Sequence, residues 1–174
     1  IAAGMALDIP LDIMLKALTK VQGVPGRFET VKKGQDFTVI VDYAHTPDGL
    51  ENVINAARSF CTGKIITVFG CGGDRDRKKR PIMGKIATSL SDFSFITSDP
   101  DAIIDDIEPG CTTKNYKRIT DRKNAIQRAL NLAQKGDVVL IAGKGHETYQ
   151  ILGDKTIHFD DREVAGDFLV NGGL

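Results

Sequence analysis

The stretch from Lys64 to Met83 constrains this 174-residue chain more than any other. Ile65, Ile66, Thr67, Val68 and Phe69 form a short apolar, β-branched run, the pattern of a buried strand, and Gly70, Gly72 and Gly73 then break it. Glycines at such a point let backbone come close to a ligand. Asp74, Arg75, Asp76, Arg77, Lys78, Lys79 and Arg80 follow, and Pro81 opens a helical pattern carried by Met83, Ile86, Ala87 and Leu90. Strand, glycine loop, basic cluster and helix in that order make an anion-handling layout at the carboxyl end of a sheet strand. The plainer alternative is a solvated, charged loop. Arg75 and Arg77 adjoin the glycines instead of lying on the far face of a helix, which favours the anion site.

The rest of the chain repeats the alternation of strand and helix. Pro10 to Leu18 reads as a short amphipathic helix, ended by Gly23-Val24-Pro25-Gly26, where a domain boundary is expected. Arg27 to Lys32 and Phe37 to Val41 flank Gly34-Gln35-Asp36 as a strand pair, and a polar loop from Asp42 to Asp48 leads into a helix with Leu50, Val53, Ile54 and Ala57 on one face. Phe93 to Thr97 is a further strand, followed by a helix with Ile103, Ile104 and Ile107. Tyr116 to Thr120 is a weaker strand, and Asp121 caps a helix bearing Ile126, Ala129, Leu130 and Ala133. Val138 to Ala142 is a buried strand that exits through Gly143-Lys144-Gly145-His146-Glu147. Gly153-Asp154 makes a turn before a last helix from Asp161 to Leu169. This spacing implies an α/β fold with a doubly wound, mostly parallel sheet. Met14 and Met83 are expected in the core.

Charge and cysteine content narrow the function. Lysine plus arginine equal aspartate plus glutamate at 23 each, so no global field points to nucleic acid or a membrane surface. No apolar run reaches the roughly 18 residues a spanning helix needs, and no signal peptide is recognisable. Cys61, Cys71 and Cys111 are odd in number and lack metal-ligand spacing, so they read as free thiols of a reducing cytosol. The chain starts at Ile1, in mid-pattern, like a piece of something longer.

Ligands of open α/β sheets sit outside the carboxyl ends of the strands. Three unusual loops leave such ends: Asp42 to Asp48, Gly70 to Arg80, and Gly143 to Glu147. Arg75 can grip a carboxylate with two parallel hydrogen bonds and Glu147 can accept from an ammonium, which together suit an amino acid zwitterion. Each has a duller counterpart. His45 and His146 are also read as ordinary loop histidines, and Arg27 as a surface arginine on an edge strand. Gly143-Lys144-Gly145 is not a phosphate loop, because G-x-x-x-x-G-K-[ST] occurs nowhere in the chain. No G-x-G-x-x-G opens a helix after a first strand either.

Taken together, five motifs carry a family resemblance. Val24-Pro25-Gly26-Arg27-Phe28-Glu29, Val41-Asp42-Tyr43-Ala44-His45-Thr46-Pro47-Asp48, and Gly70-Cys71-Gly72-Gly73-Asp74-Arg75-Asp76 with Lys79-Arg80-Pro81 are the first three. Gly143-Lys144-Gly145-His146-Glu147 and His158-Phe159-Asp160-Asp161-Arg162-Glu163 complete the set. In this order they resemble the Mur ligases, and within them the MurE group of UDP-N-acetylmuramoyl-tripeptide synthetases. Residues 1–23 resemble the end of that family's central ATPase domain, which divides the chain into 1–26, fragment and hinge, and 27–174, the C-terminal domain.

The resemblance implies a cytoplasmic, ATP-dependent ligase of peptidoglycan precursor synthesis, monomeric as the full-length enzyme. It would add meso-diaminopimelate or L-lysine to UDP-MurNAc-L-Ala-D-Glu through an acyl phosphate, with ATP and Mg2+ held mainly by the central domain. By match to motif, Arg27 would reach the phosphates, Asp42 the ribose, and His45 would join them in contacting ATP. Arg75, Gly143 and Glu147 would bind the incoming amino acid, and no catalytic residue or metal ligand would come from this chain. The family's selectivity loop usually carries Asp-Asn-Pro-Arg or a variant; here Asp99 meets Pro100 several residues short, so diaminopimelate and lysine both stay open. A folylpolyglutamate or cyanophycin synthetase-type domain, or a binding module without turnover, are the alternatives.

Overall fold

The computed structural model of the chain describes residues 1–21, 23–72, 76–97 and 101–171. Two short helices, α1 (Ala2–Ala6) and α2 (Leu11–Leu18), precede strands β1 (Glu29–Val31) and β2 (Thr38–Asp42). Then come α3 (Pro47–Arg58), β3 (Ile65–Phe69), α4 (Lys79–Leu90), β4 (Phe93–Ile96) and α5 (Ala102–Ile107), which tightens into a 3-10 turn at Glu108–Gly110. The chain continues through β5 (Tyr116–Arg118), α6 (Arg122–Leu132), β6 (Val138–Ala142), a hairpin of β7 (Tyr149–Leu152) and β8 (Lys155–His158), and α7 (Asp161–Asn171).

Six strands form one sheet in the order β1-β2-β6-β3-β4-β5. β1 runs antiparallel to β2, as the strand pair around Gly34 leads one to expect, and the other pairings are parallel. Both faces are covered, and this is why β3 and β6 read as unbroken apolar runs: every residue of Ile65–Phe69 and Val138–Ala142 is buried. Alternate side chains feed opposite layers. Ile40, Ile65, Phe69 and Leu140 pack with Leu50, Ile54, Met83, Ile104 and Ile107 on the side of α3, α4 and α5. Val39, Val41, Ile66, Val68, Val139 and Ile141 pack with Ile126, Leu130, Ala165 and Leu169 on the side of α6 and α7. The sheet is doubly wound.

Local chemistry sets the helix starts. The Thr46 hydroxyl accepts from Gly49 N at 3.1 Å with Pro47 in the first helical position, and Asp121 Oδ1 accepts from Asn124 N at 2.6 Å. Two expectations need correction, and one pair of strands was not anticipated. Helix α2 is amphipathic but buries none of its residues, so Met14 is only half-buried, against Gly4, whereas Met83 is fully buried. Helix α4 starts two residues before Pro81. The turn at Gly153-Asp154 joins two strands of a separate hairpin, too short and too exposed to show in the apolar pattern. Among the described residues, no helix is long and apolar enough to cross a membrane.

Candidate functional site

Parallel pairing brings the strand exits to one edge. Asp42 and Ala142, the last residues of β2 and β6, are register partners, and Gly143 N donates to the Asp42 carbonyl at 3.0 Å. A Cβ on Gly143 would stand 3.7 Å from the Gly70 carbonyl oxygen at the exit of β3. Gly143 therefore touches both of the other loops singled out in the sequence. Gly73, Asp74 and Arg75 lie outside the described residues, as do Asp99 and Pro100.

A fourth segment closes on these loops. Gly26 has φ +68°, and a Cβ there would fall 2.0 Å from His146 N. Gly145, at φ +55°, faces back, with the Gly26 carbonyl 2.6 Å and Tyr43 Cβ 2.8 Å from where its own Cβ would be. Only glycines permit this contact of two backbones. The turn is fixed by Glu29 Oε2, which accepts from Gly26 N at 2.6 Å, and by Arg27 N donating to the Val24 carbonyl at 3.0 Å. Phe28 adopts φ +48°, a costly conformation for a bulky residue, and its N–H donates to Asp42 Oδ2 at 2.7 Å.

Tyr43 is the centre of the surface this creates. The Arg27 guanidinium lies 4.6 Å above its ring, and the rings of His45 and His146 stand 4.6 and 5.5 Å from it. His45 Nδ1 is 2.9 Å from the Tyr43 carbonyl, which can only accept, so Nδ1 carries a proton and the neutral ring offers Nε2 as acceptor. Lys79 Nζ, from the first turn of α4, donates to the His45 carbonyl at 3.1 Å. The structure thus brings Arg27 and His45 together as exposed, basic groups beside one aromatic face. Asp42 plays a structural part as well: Oδ1 accepts from Ala44 N at 2.8 Å while Oδ2 holds Phe28.

Glu147 sits one turn beyond Gly143, its N–H donating to the Lys144 carbonyl at 3.0 Å. Its carboxylate is engaged by the ammonium of Lys144, with Nζ 3.2 Å from Oε2. Lys144 also donates to the Tyr149 carbonyl and lies 5.4 Å above the Tyr149 ring. Neither side chain is more than one-third exposed, at 16% for Lys144 and 30% for Glu147.

Other charges turn out to be structural. Arg77 and Arg80, read as part of an anion site, both donate to Asp106 of α5, at 2.8 and 2.6 Å. Hydrogen bonds from Arg80 and then Arg77 hold the Asp106 carboxyl below its ordinary value. The last motif of the resemblance serves packing. Arg122 and Asp161 form an ion pair inside the core at 2.7 Å, and Arg162 donates to Asp160 and, at 3.3 Å, to the same Glu29 oxygen that holds Gly26. Burial pushes the Asp160 carboxyl up, but hydrogen bonds from the side chain and backbone of Arg162 outweigh it and leave it lowered.

Sequence reasoning missed Glu29, Tyr43 and Lys144, although each belongs to a quoted motif. Among the described residues no group of three or more His, Cys, Asp or Glu is placed to hold a metal, and the carboxylates nearest the site are already hydrogen-bonded. Among the described residues, this surface offers no ligand set for Mg2+. A cleft of about 760 Å3 between the hairpin and helices α6 and α7, lined by Gln127, Leu152, Phe159 and Val164 among others, includes none of the loop residues above.

The sequence model of the family described as Mur ligase, glutamate ligase domain, matches residues 26–145. The chain is 55% identical over 169 residues to UDP-N-acetylmuramoyl-L-alanyl-D-glutamate--2,6-diaminopimelate ligase of Clostridium tetani, a match covering 92% of this chain and 35% of that protein. A solved structure of a UDP-N-acetylmuramoyl-L-alanyl-D-glutamate--2,6-diaminopimelate ligase is similar at 35% identity and a TM-score of 0.78, over 97% of this chain and 36% of the other. The MurF ligase from Thermotoga maritima, solved in complex with ADP, shares the fold at a TM-score of 0.62 and 22% identity, over 83% of this chain and 33% of that one. The chain therefore spans about a third of the length of the curated relatives it matches. From its five ordered motifs, its doubly wound sheet and these matches, the chain belongs to the Mur ligase, glutamate ligase domain family.

Proposed function

We propose that this chain is the amino-acid-binding, C-terminal part of an ATP-dependent ligase that joins diaminopimelate or lysine to UDP-MurNAc-L-Ala-D-Glu. The relatives at 51–55% identity bear the name of the diaminopimelate enzyme, which favours that amino acid. The observation that carries the reading is the meeting of the Gly26, Asp42, Gly70 and Gly143 loops at one sheet edge, which also carry the basic aromatic surface around Tyr43 and the Glu147 carboxylate. Arg27 and His45 suit the phosphates of a nucleotide carried by the rest of the ligase, and Asp42 its ribose. Gly143, Glu147 and Arg75 suit the amino acid.

The chemistry fits two amines in one substrate. An amine that attacks an acyl phosphate must be neutral, so an ammonium accepted by Glu147 belongs to the other amine of diaminopimelate or lysine. Fixing that end, together with a carboxylate at Arg75, orients the attacking nitrogen and removes rotational freedom before reaction. The chain holds no phosphate loop, and alone it is expected to hydrolyse no ATP. We assign residues 1–26 to the end of the preceding ATPase unit, with the hinge before Gly26. Gly26 itself is anchored to Gly145 and Glu29, while a Cβ on Gly23 would meet nothing within 4 Å. The setting is the cytoplasm.

In the full-length ligase, Glu147→Gln and Arg75→Lys are expected to raise KM for the amino acid and lower kcat/KM by roughly 30-fold, about 2 kcal/mol, with smaller effects on KM for ATP. Amino acid kinetics untouched by both changes would return these residues to structural loop charges.

A further inference from the structure

The Lys144 ammonium occupies a site made for a primary ammonium. Three kinds of partner surround Nζ: the Glu147 carboxylate at 3.2 Å, the Tyr149 carbonyl, and the Tyr149 ring face at 5.4 Å. A carboxylate, a carbonyl and an aromatic face are the groups that bind alkylammonium ions in water-poor surroundings. Lys144 is largely buried, although it belongs to the most hydrated residue type and lies in a loop at the rim of the site. Its neighbours Gly143 and Gly145 carry no side chain, so that ammonium is the only cationic group Gly143-Lys144-Gly145 can present to Glu147.

We propose that Lys144 is a built-in competitor for the ammonium end of the amino acid, a gate that sets which amines can reach Glu147. The proposal rests on the assignment of Glu147 to the substrate ammonium. Lys144 ends in the same CH2–NH3+ group as lysine, so any amine that binds Glu147 must displace an equal. A simple alkylamine gains nothing by the exchange. A substrate that also carries a carboxylate for a second anchor gains that contact and wins the site. The Lys144–Glu147 pair thereby adds one cost to every amine at Glu147, and a substrate with a second anchor is the kind that still fills the site at low concentration. Once displaced, the lysine keeps the Tyr149 carbonyl and ring as its own partners.

The test uses the full-length ligase with Lys144→Met and, as a second variant that retains a hydrogen bond toward the Tyr149 carbonyl, Lys144→Gln. Removing the competitor is expected to lower KM for the diamino acid about 3- to 5-fold, the range set by a partly exposed ion pair and its population tax. Inhibition by 1,5-diaminopentane, which has two amines and no carboxylate, is expected to strengthen by at least the same factor. In the Glu147→Gln background the same changes at Lys144 are expected to shift neither quantity. A KM that stays level or rises in both Lys144 variants, while Glu147→Gln still raises it, overturns the gate and leaves the role of Glu147 standing. Insensitivity of the amino acid KM to Glu147→Gln overturns both.

Discussion

Arg122 and Asp161 form a two-pronged ion pair within the core: Nε donates to Oδ1 at 2.8 Å and Nη2 to Oδ2 at 2.7 Å, with Asp161 completely buried. Nη2 also donates to the Ala142 carbonyl at 3.1 Å, the last residue of β6 before the Gly143 loop. The pair thus ties the first turns of α6 and α7 to the strand end that presents the site. Asp161→Asn leaves a buried guanidinium without its counter-charge and is expected to cost about 3–5 kcal/mol. A combined Arg122→Met and Asp161→Leu change, which removes both charges, is expected to recover at least half of that loss. Urea unfolding of the three proteins measures it, and equal loss in single and double variants would show that packing, not charge, dominates there.

Gly26 and Gly23 have similar φ values, +68° and +72°, but different surroundings. Alanine at either costs about 1–2 kcal/mol of left-handed backbone strain. At Gly26 the new methyl group also meets His146 N at 2.0 Å, so the Gly145–His146 segment must move. Thermal unfolding is expected to rank Gly26→Ala clearly below Gly23→Ala, and amide shifts of Gly145 and His146 are expected to change only in the former. Equal destabilisation would mean that the two backbones do not depend on their contact.

His158 Nε2 lies 2.5 Å from Glu163 Oε2, joining the hairpin to α7. The hydrogen bond that His158 donates to Glu163, then the charge of Glu163, then that of Asp160, raise the His158 pKa above the ordinary 6.5. A raised folded-state value stabilises the folded form fully below about 6.5, and this contribution is lost as pH rises through the higher folded pKa. The hairpin is therefore expected to loosen its hold on α7 as pH rises through that higher value. Following the His158 ring protons by NMR against pH, with Glu163→Gln as control, checks this. A titration midpoint that the control does not lower would remove the pair as the cause.

Much of the fold was legible because it rests on short-range patterns. Unbroken apolar runs such as Val138–Ala142 mark strands covered on both faces, and the loops after Asp42, Phe69 and Ala142 could be placed on one edge from parallel pairing alone. What stayed hidden depends on partners far along the chain. Nothing near Arg77 or Arg80 shows that Asp106, 29 and 26 positions away, takes both of them from the expected anion site. Glu29 and Arg162 are separated by 133 positions, and their contact makes the first and last motifs of the resemblance parts of one support beneath Gly26. The charge run Asp160-Asp161-Arg162-Glu163 at a helix start was the available signal, but periodicity does not say whom a charge meets. Helix α2 misled in the other direction: its apolar stripe predicts burial, and none of its residues is fully buried.

The setting of the aromatic residues gives the chain an optical property. It contains no tryptophan and three tyrosines, and two of these lie where the ligands are proposed to arrive: Tyr43 beneath the Arg27 guanidinium and Tyr149 beneath the Lys144 ammonium. Tyr116, the third, lies away on β5. Ultraviolet excitation of the unlabelled chain therefore reads out three phenol rings, two of which have a cation over the face. Binding of the proposed nucleotide is expected to change the emission of Tyr43, and binding of the proposed amine that of Tyr149.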